Sequence, residues 1–154
     1  MRAVIQRVIQ RVISASVSVE AVVVGEIGRG YVVLLGVEES DTLDDIDWLD
    51  DKIVNLRLFA GDPGGMERNI LEVAGGILLV SQFTLFASTK KGARPSWHRA
   101  ARPALAQPLC ESMSHRLGEL LGRPVANGRF GAMMQVAMVN DGPVTLVIDT
   151  KARE

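Results

Sequence analysis

The sequence predicts an α+β fold: a large curved, mainly antiparallel sheet or partial β-barrel with two main helices. Three observations point there. Val- and Ile-rich segments with strand character dominate the 154 residues. Only two segments keep the apolar spacing of a helix. Glycines such as Gly25, Gly28 and Gly30 punctuate the strand segments, while Pro108 falls in or near the first turn of the second helix and would allow a later start there. No linker or low-complexity stretch divides the chain, so one domain over residues 1–154 is expected. The hydrophobic fraction is 47% but aromatics are 5%, so the core must be mostly aliphatic.

Residues 2–37 read as strands punctuated by Gly25, Gly28 and Gly30. Within them "IQRV" occurs twice in tandem, at 5–8 and 9–12. Four residues are two strand periods, so the duplication leaves the in/out alternation intact. Residues 42–58 read as a helix through Leu43, Ile46, Leu49, Ile53 and Leu56, with Asp41 or Thr42 as its cap. "GDPGG" at 61–65 is a loop. "GILLVSQFTLF" at 76–86 is apolar enough for a central strand. A second helix fits 103–121, with Leu105, Leu109, Met113, Leu117 and Leu121 four apart. Pro103 suits its first turn and Gly122 its end. "GAMMQVAMVN" and "PVTLVIDT" give two closing strands.

Composition excludes several classes of function. The formal net charge is −1, so no global basic field attracts nucleic acid. A single cysteine, Cys110, forbids an intrachain disulfide and suits a reducing compartment. No apolar run approaches the ~20 residues of a membrane span, and "MRAVIQRV" does not read as a signal peptide. A cytoplasmic protein without membrane association is expected. His98, His115 and Cys110 have no zinc-ligand spacing, and no metal site is expected. The eight acids between Glu38 and Asp51 read as a solvated helix face. No Walker loop or GxGxxG opens a helix, so no cofactor is expected.

Charge is nevertheless segregated. From Val73 to Cys110 there is no acid, and Lys90, Lys91, Arg94, Arg99 and Arg102 stand there with Trp97. A basic loop with an aromatic fits a nucleic-acid backbone or an unstacked base; an ordinary soluble loop has the same composition. His98 in this loop suits a phosphate contact, and Cys110 a small buried hydrophobe.

Two stretches carry more. "SQFTLFA", 81–87, ends an apolar strand with a hydroxyl, an amide and a second hydroxyl. If the strand stays regular, Ser81 and Phe83 share one face and Gln82 and Thr84 the other. "VNDGPVTLVID", 139–149, sets Gly142 and Pro143 between two strand-like halves, although proline gives a ladder no N–H. Together the two stretches resemble the D-aminoacyl-tRNA deacylases, whose signatures are SQxT and NxGPVT. Here they read Ser81-Gln82-Phe83-Thr84 and Asn140-Asp141-Gly142-Pro143-Val144-Thr145. "AVIQRV", "GEIGRGYVVLLGVE", "DKIVNLRLF", "KGARPSW" and "GRFGAMMQV" follow the family's order over nearly the whole chain.

The resemblance implies hydrolysis of the ester joining a D-amino acid, and also glycine, to the 3′ end of tRNA. It implies a homodimer with active sites at the subunit interface, each completed by the partner's Gly142 and Pro143. It implies a cis Gly142–Pro143 bond, which for X-Pro costs only ~0.5–1 kcal/mol. The two carbonyls would meet the substrate ammonium and exclude L-residues. Backbone N–H groups around Phe83 and Thr84 would form an oxyanion hole. No base is evident for Thr84, so its hydroxyl is expected to position substrate or water, with the ribose 2′-hydroxyl assisting. Asn140, Val144 and Thr145 support the turn. The family's bracing arginine is Arg7 or Arg11; Arg11 is favoured because "RVISASVSV" continues into the family's next strand. The chain departs from the pattern in the doubled "IQRV", in Met133 where an acid is usual, and in Trp97 where Phe is usual. Two other readings stay open: a non-catalytic RNA-binding domain, and a Ser/Thr-nucleophile hydrolase of small molecules.

Overall fold

A tight two-residue turn starts the sheet. Glu20 and Ala21 both take positive φ, 50° and 65°, the backbone signature of a hairpin turn whose twist matches its strands. It joins β1 (Arg7–Val19) to β2 (Val22–Ile27) in the computed structural model, which describes residues 7–153. β1 pairs antiparallel with β2 from Ala15 to Val19 and with β3 (Gly30–Leu35) from Arg7 to Val12. The register runs on from one to the other, so β2 and β3 line the same edge of β1 end to end. The opposite edge pairs antiparallel with β8 (Gln135–Ile148).

The sheet continues from β3 through two parallel pairings, to β6 (Gly76–Ser81) and then to β7 (Ala126–Asn127). Two glycines permit the curvature. A Cβ on Gly30 would stand 1.9 Å from the Gly76 carbonyl oxygen, and one on Gly25 2.7 Å from that of Asn127. The second contact brings β2 beside β7 and curls the sheet toward a barrel. A short hairpin, β4 (Phe59–Ala60) and β5 (Met66–Arg68), lies apart from it.

Helices α1 (Leu43–Asn55) and α2 (Pro103–Leu121) cover one face. They bury Ile46, Leu49 and Ile53, and Leu109, Met113 and Leu117, against Ile9, Val33, Leu35, Ile77 and Leu79. Each such aliphatic contributes ~1.5–3 kcal/mol on burial. The stacked pair Tyr31–Phe59, centroids 5.1 Å apart, is the aromatic exception in this core. A second cluster, Val12, Ala15, Val17, Val32, Leu78 and Val80, fills the other side. The core side of β1 changes phase between Val12 and Ala15, where its pairing with β8 slips.

Several expectations are corrected. The strand over 76–86 ends at Ser81, and Phe83–Phe86 form a 3₁₀ turn, so the alternation of Ser81 and Phe83 against Gln82 and Thr84 does not occur. The two closing strands are one, β8, and Gly131–Met134 lie before it as turn and loop. α1 stops at Asn55 rather than 58, and its N-cap is Thr42. α2 spans 103–121 as expected, starting at Pro103 rather than later, with Pro108 inside it.

The acids near α1 are only in part a solvated face: Glu39, Asp44, Asp47 and Asp51 are exposed. Glu38, Asp41, Asp45 and Asp50 are buried. Asp45 accepts hydrogen bonds from the Thr42 N–H (3.1 Å) and from Lys151 Nζ (2.6 Å), with Arg153 3.4 Å away. Arg153 also lies over the Trp48 ring at 4.6 Å. Arg116 on α2 meets Asp47 (3.2 Å) and Asp51 (3.0 Å) on α1. Cys110 is half-buried rather than fully buried. Arg7 begins β1, but its side chain lies outside the described residues, as do Ile5 and Gln6 of the first "IQRV".

Candidate active site

β6 is a fully apolar central strand until Ser81, and the chain then tightens. The Gln82 N–H still bonds the Leu35 carbonyl at 2.8 Å, holding the turn to the end of β3. The Leu85 N–H bonds the Gln82 carbonyl at 3.2 Å. Phe83 and Thr84 open this turn, so their N–H groups have no acceptor within it. The Gln82 side-chain amide donates to Thr84 Oγ1. That leaves the Thr84 hydroxyl proton directed elsewhere.

This strand end forms one wall of a pocket of about 470 Å³. Ser81, Gln82 and Phe83 line it, facing Ala101, Pro103, Ala106 and Cys110 of the α2 start, with Phe130 from the loop before β8. Leu35 and Val37 close the floor and Trp97 stands at the rim. The pocket is mostly apolar, with Ser81, Gln82 and Arg102 as its polar lining, the usual character of a small-ligand site; Thr84 does not line it. Among the described residues, no group of three or more His, Cys, Asp and Glu could hold a metal ion.

The basic loop adjoins this rim. The Ser88 and Ser96 backbones exchange hydrogen bonds of 2.8 and 3.0 Å, which clamp the base of residues 89–95. Lys90, Lys91 and Arg94 are exposed on that loop, as is His98 just beyond its base. Arg99 and Arg102 are exposed too, but each is paired with a carboxylate. Arg99 lies 3.8 Å from Glu38 and Arg102 2.9 Å from Glu39. The Arg102 side chain and backbone hold the Glu39 carboxyl below its usual pKa.

The second motif forms an elbow. In the β1–β8 ladder Gln10 pairs with Thr145 and Val12 with Asn140, so residues 141–144 bulge out opposite the single residue Arg11. Asn140 Nδ2 donates to Thr145 Oγ1 at 3.2 Å across the neck of the bulge. The Gly142–Pro143 bond is cis, and Gly142 takes φ +121°. Arg11 backs the elbow. Its Nε lies 3.2 Å from the Asp141 carbonyl oxygen and 3.2 Å from Asp141 Oδ2, and its guanidinium reaches the Leu58 carbonyl at 2.6 Å. A Cβ on Gly142 would stand 3.0 Å from the same guanidinium.

Tyr31, beside Arg11 on the next strand, donates to the Leu56 carbonyl at 3.3 Å. Burial pushes its phenol well above the usual pKa, with the Arg11 charge opposing, so it stays a donor. Sequence reasoning missed this backing layer of Tyr31, Leu56 and Leu58, and the carboxylate of Asp141. It also missed the pocket wall at 101–106 and Phe130, although "GRFGAMMQV" was already among the collinear blocks.

The chain brings the two motifs to different places. Gly142 and Pro143 are exposed, and no residue of 140–145 lines the SQFT pocket. Two strands, β1 and β3, intervene, and Ser81 is level with Arg7 rather than Arg11. Strand geometry puts the motifs roughly 14 Å apart across the sheet and ~13 Å along it.

The chain is similar to known proteins over nearly its whole length. The D-Tyr-tRNA(Tyr) deacylase family profile matches residues 8–149. A D-aminoacyl-tRNA deacylase of Opitutus terrae is 58% identical over 96% of this chain and 98% of its own. That of Dechloromonas aromatica is 56% identical over the same shares. Among solved structures, a c-Myc DNA unwinding element binding protein superposes with TM-score 0.85 at 37% identity, over 93% of this chain and 97% of that one. A probable eukaryotic D-amino acid tRNA deacylase gives TM-score 0.82 at 16% identity, over 95% of this chain and 99% of that one, which speaks to the fold. With its family profile, its relatives and its two intact motifs in agreement, the chain belongs to the D-Tyr-tRNA(Tyr) deacylase family, hydrolases of the ester bond of aminoacyl-tRNA.

Proposed function

We propose that this protein hydrolyses the ester of D-aminoacyl-tRNA and of glycyl-tRNA, as a homodimer in which each elbow completes the partner's SQFT pocket. The observation that carries this reading is the placement of the elbow. Its tip is exposed, it is braced from behind by Arg11, and its own chain's pocket contains none of it.

The chemistry follows from fixed backbone groups. The ester carbonyl sits against the Phe83 and Thr84 N–H groups, which stabilise the developing oxyanion. The ammonium meets the Gly142 and Pro143 carbonyls of the other subunit. With those two ends pinned, a D side chain points to open space and an L side chain into backbone. Each ~1.4 kcal/mol of that clash is tenfold in discrimination. Glycine has no side chain to reject and passes. Water attacks the ester, and the ribose 2′-hydroxyl is placed to assist it. The released groups are a free amino acid and tRNA.

The test is one panel: D-Tyr-tRNA, L-Tyr-tRNA and Gly-tRNA against the wild type and Pro143→Ala. The wild type is expected to cleave the first and third but not the second. The variant, whose elbow no longer holds its carbonyls in place, is expected to lose at least about tenfold on both substrates, ~1.4 kcal/mol of transition-state stabilisation. Unchanged rates in Pro143→Ala, or cleavage of L-Tyr-tRNA by the wild type, contradict the reading.

A further inference from the structure

Resting on that reading, we propose that the pocket mouth is a second nucleotide subsite. Trp97, with Phe83 against it, stacks the base that precedes the terminal adenosine, and Lys90, Lys91 and Arg94 meet its phosphate.

The aromatic residues of the chain are unevenly placed. Tyr31, Phe59 and Phe86 are buried, and Trp48 and Phe130 are partly buried against the main core. Phe83 and Trp97 are the exposed aromatics, at 58% and 38%. They are found together at the pocket rim, centroids 5.6 Å apart and edge-on at 76°. Both rings still show much of their surface to solvent at the rim. Such rings are what an unstacked base needs, because every base offers a π-face.

The pocket is the size that encloses one small ligand. With the terminal nucleoside and its ester inside, the next nucleotide has to lie at the mouth. The loop charge is divided to suit it. Arg99 and Arg102 are engaged by Glu38 and Glu39 at the base of the loop, and the Ala101 N–H bonds the Val37 carbonyl at 2.8 Å. These contacts moor the loop, while Lys90, Lys91 and Arg94 face solvent. The other exit, a cleft along α2 past Gln107, His115 and Arg129, passes Glu111. His115 there sits 3.4 Å from Glu119. The side that carries the exposed Lys90, Lys91 and Arg94 is the better path for a phosphodiester.

The experiment compares the D-tyrosyl esters of adenosine and of the dinucleotide cytidylyl-adenosine. The wild type is expected to gain roughly 5- to 150-fold in kcat/KM from the added nucleotide, the range of one base–aromatic stack. Trp97→Ala is expected to reduce that gain below about twofold, Trp97→Phe to keep most of it, and Lys90→Ala/Lys91→Ala to flatten its salt dependence. The ratio cancels any general loss of activity in a variant. Equilibrium binding of the two uncharged compounds gives the same comparison without turnover. Tighter binding of the dinucleotide that depends on Trp97 supports the subsite even if no ester is cleaved, which separates its fate from that of the proposed activity. An equal gain in Trp97→Ala by both readouts overturns it, as does a gain lost in Arg129→Ala instead.

Discussion

The sequence favours a positioning role for the Thr84 hydroxyl over a nucleophilic one. Its oxygen accepts from the Gln82 amide, and no hydrogen bond joins it to a carboxylate or imidazole among the described residues. A hydroxyl without a base is a weak nucleophile. Thr84→Ala is therefore expected to keep D-Tyr-tRNA turnover within about tenfold of wild type, the scale of one lost positioning hydrogen bond of ~1 kcal/mol. A loss of several thousandfold in single-turnover kinetics would restore the nucleophile. Arg11 was legible because "RVISASVSV" continues directly from it; the structure makes that whole stretch part of one strand, β1, with Arg11 opposite the bulge. Its supports were not legible. Leu56 and Leu58 act through main-chain carbonyls, which leave no trace in residue type.

At the scale of elements, α2 was readable to its ends because Pro103, the four-residue apolar spacing and Gly122 all agree. The end of β6 was not, because "FTLF" is as apolar as the strand before it and nothing in composition marks the 3₁₀ turn. The acids of α1 failed for another reason. Their partners, Lys151 and Arg153, are over a hundred residues away in sequence. That latch ties the end of β8 to α1, and its pH behaviour has a definite sign. Burial acts to raise the Asp45 pKa, but hydrogen bonds from Lys151 and Thr42 outweigh it and the net shift is downward. A carboxyl with a depressed folded pKa stabilises the native state above its unfolded value of ~3.9, and that stability is lost as pH falls through the folded value. Lys151→Ala is expected to lower stability by ~1–3 kcal/mol at pH 7, the scale of a hydrogen bond to a charged group, and by much less near pH 2. Urea melts at the two pH values check this; an equal loss at both would remove the latch from the account.

For the whole molecule, the separation of the motifs is the fact that matters, and sequence spacing could not give it. SQFT turns off the end of β6 and NDGPVT lies within β8, two strands of one sheet, yet β1 and β3 lie between them. On the proposed reading a second copy completes the site, an arrangement in which twofold symmetry yields two sites per dimer. Two crippled chains test this directly. Phe83→Pro removes one proposed oxyanion N–H at a first helical position, where proline is tolerated. Gly142→Ala places a Cβ 2.9 Å from the Val144 side chain and 3.0 Å from Arg11, displacing the elbow. Each homodimer is expected to hydrolyse D-Tyr-tRNA poorly. The purified heterodimer of the two has one site with both defects and one with neither. It is expected to recover about half of the wild-type rate; a heterodimer no more active than its parents would contradict the shared site.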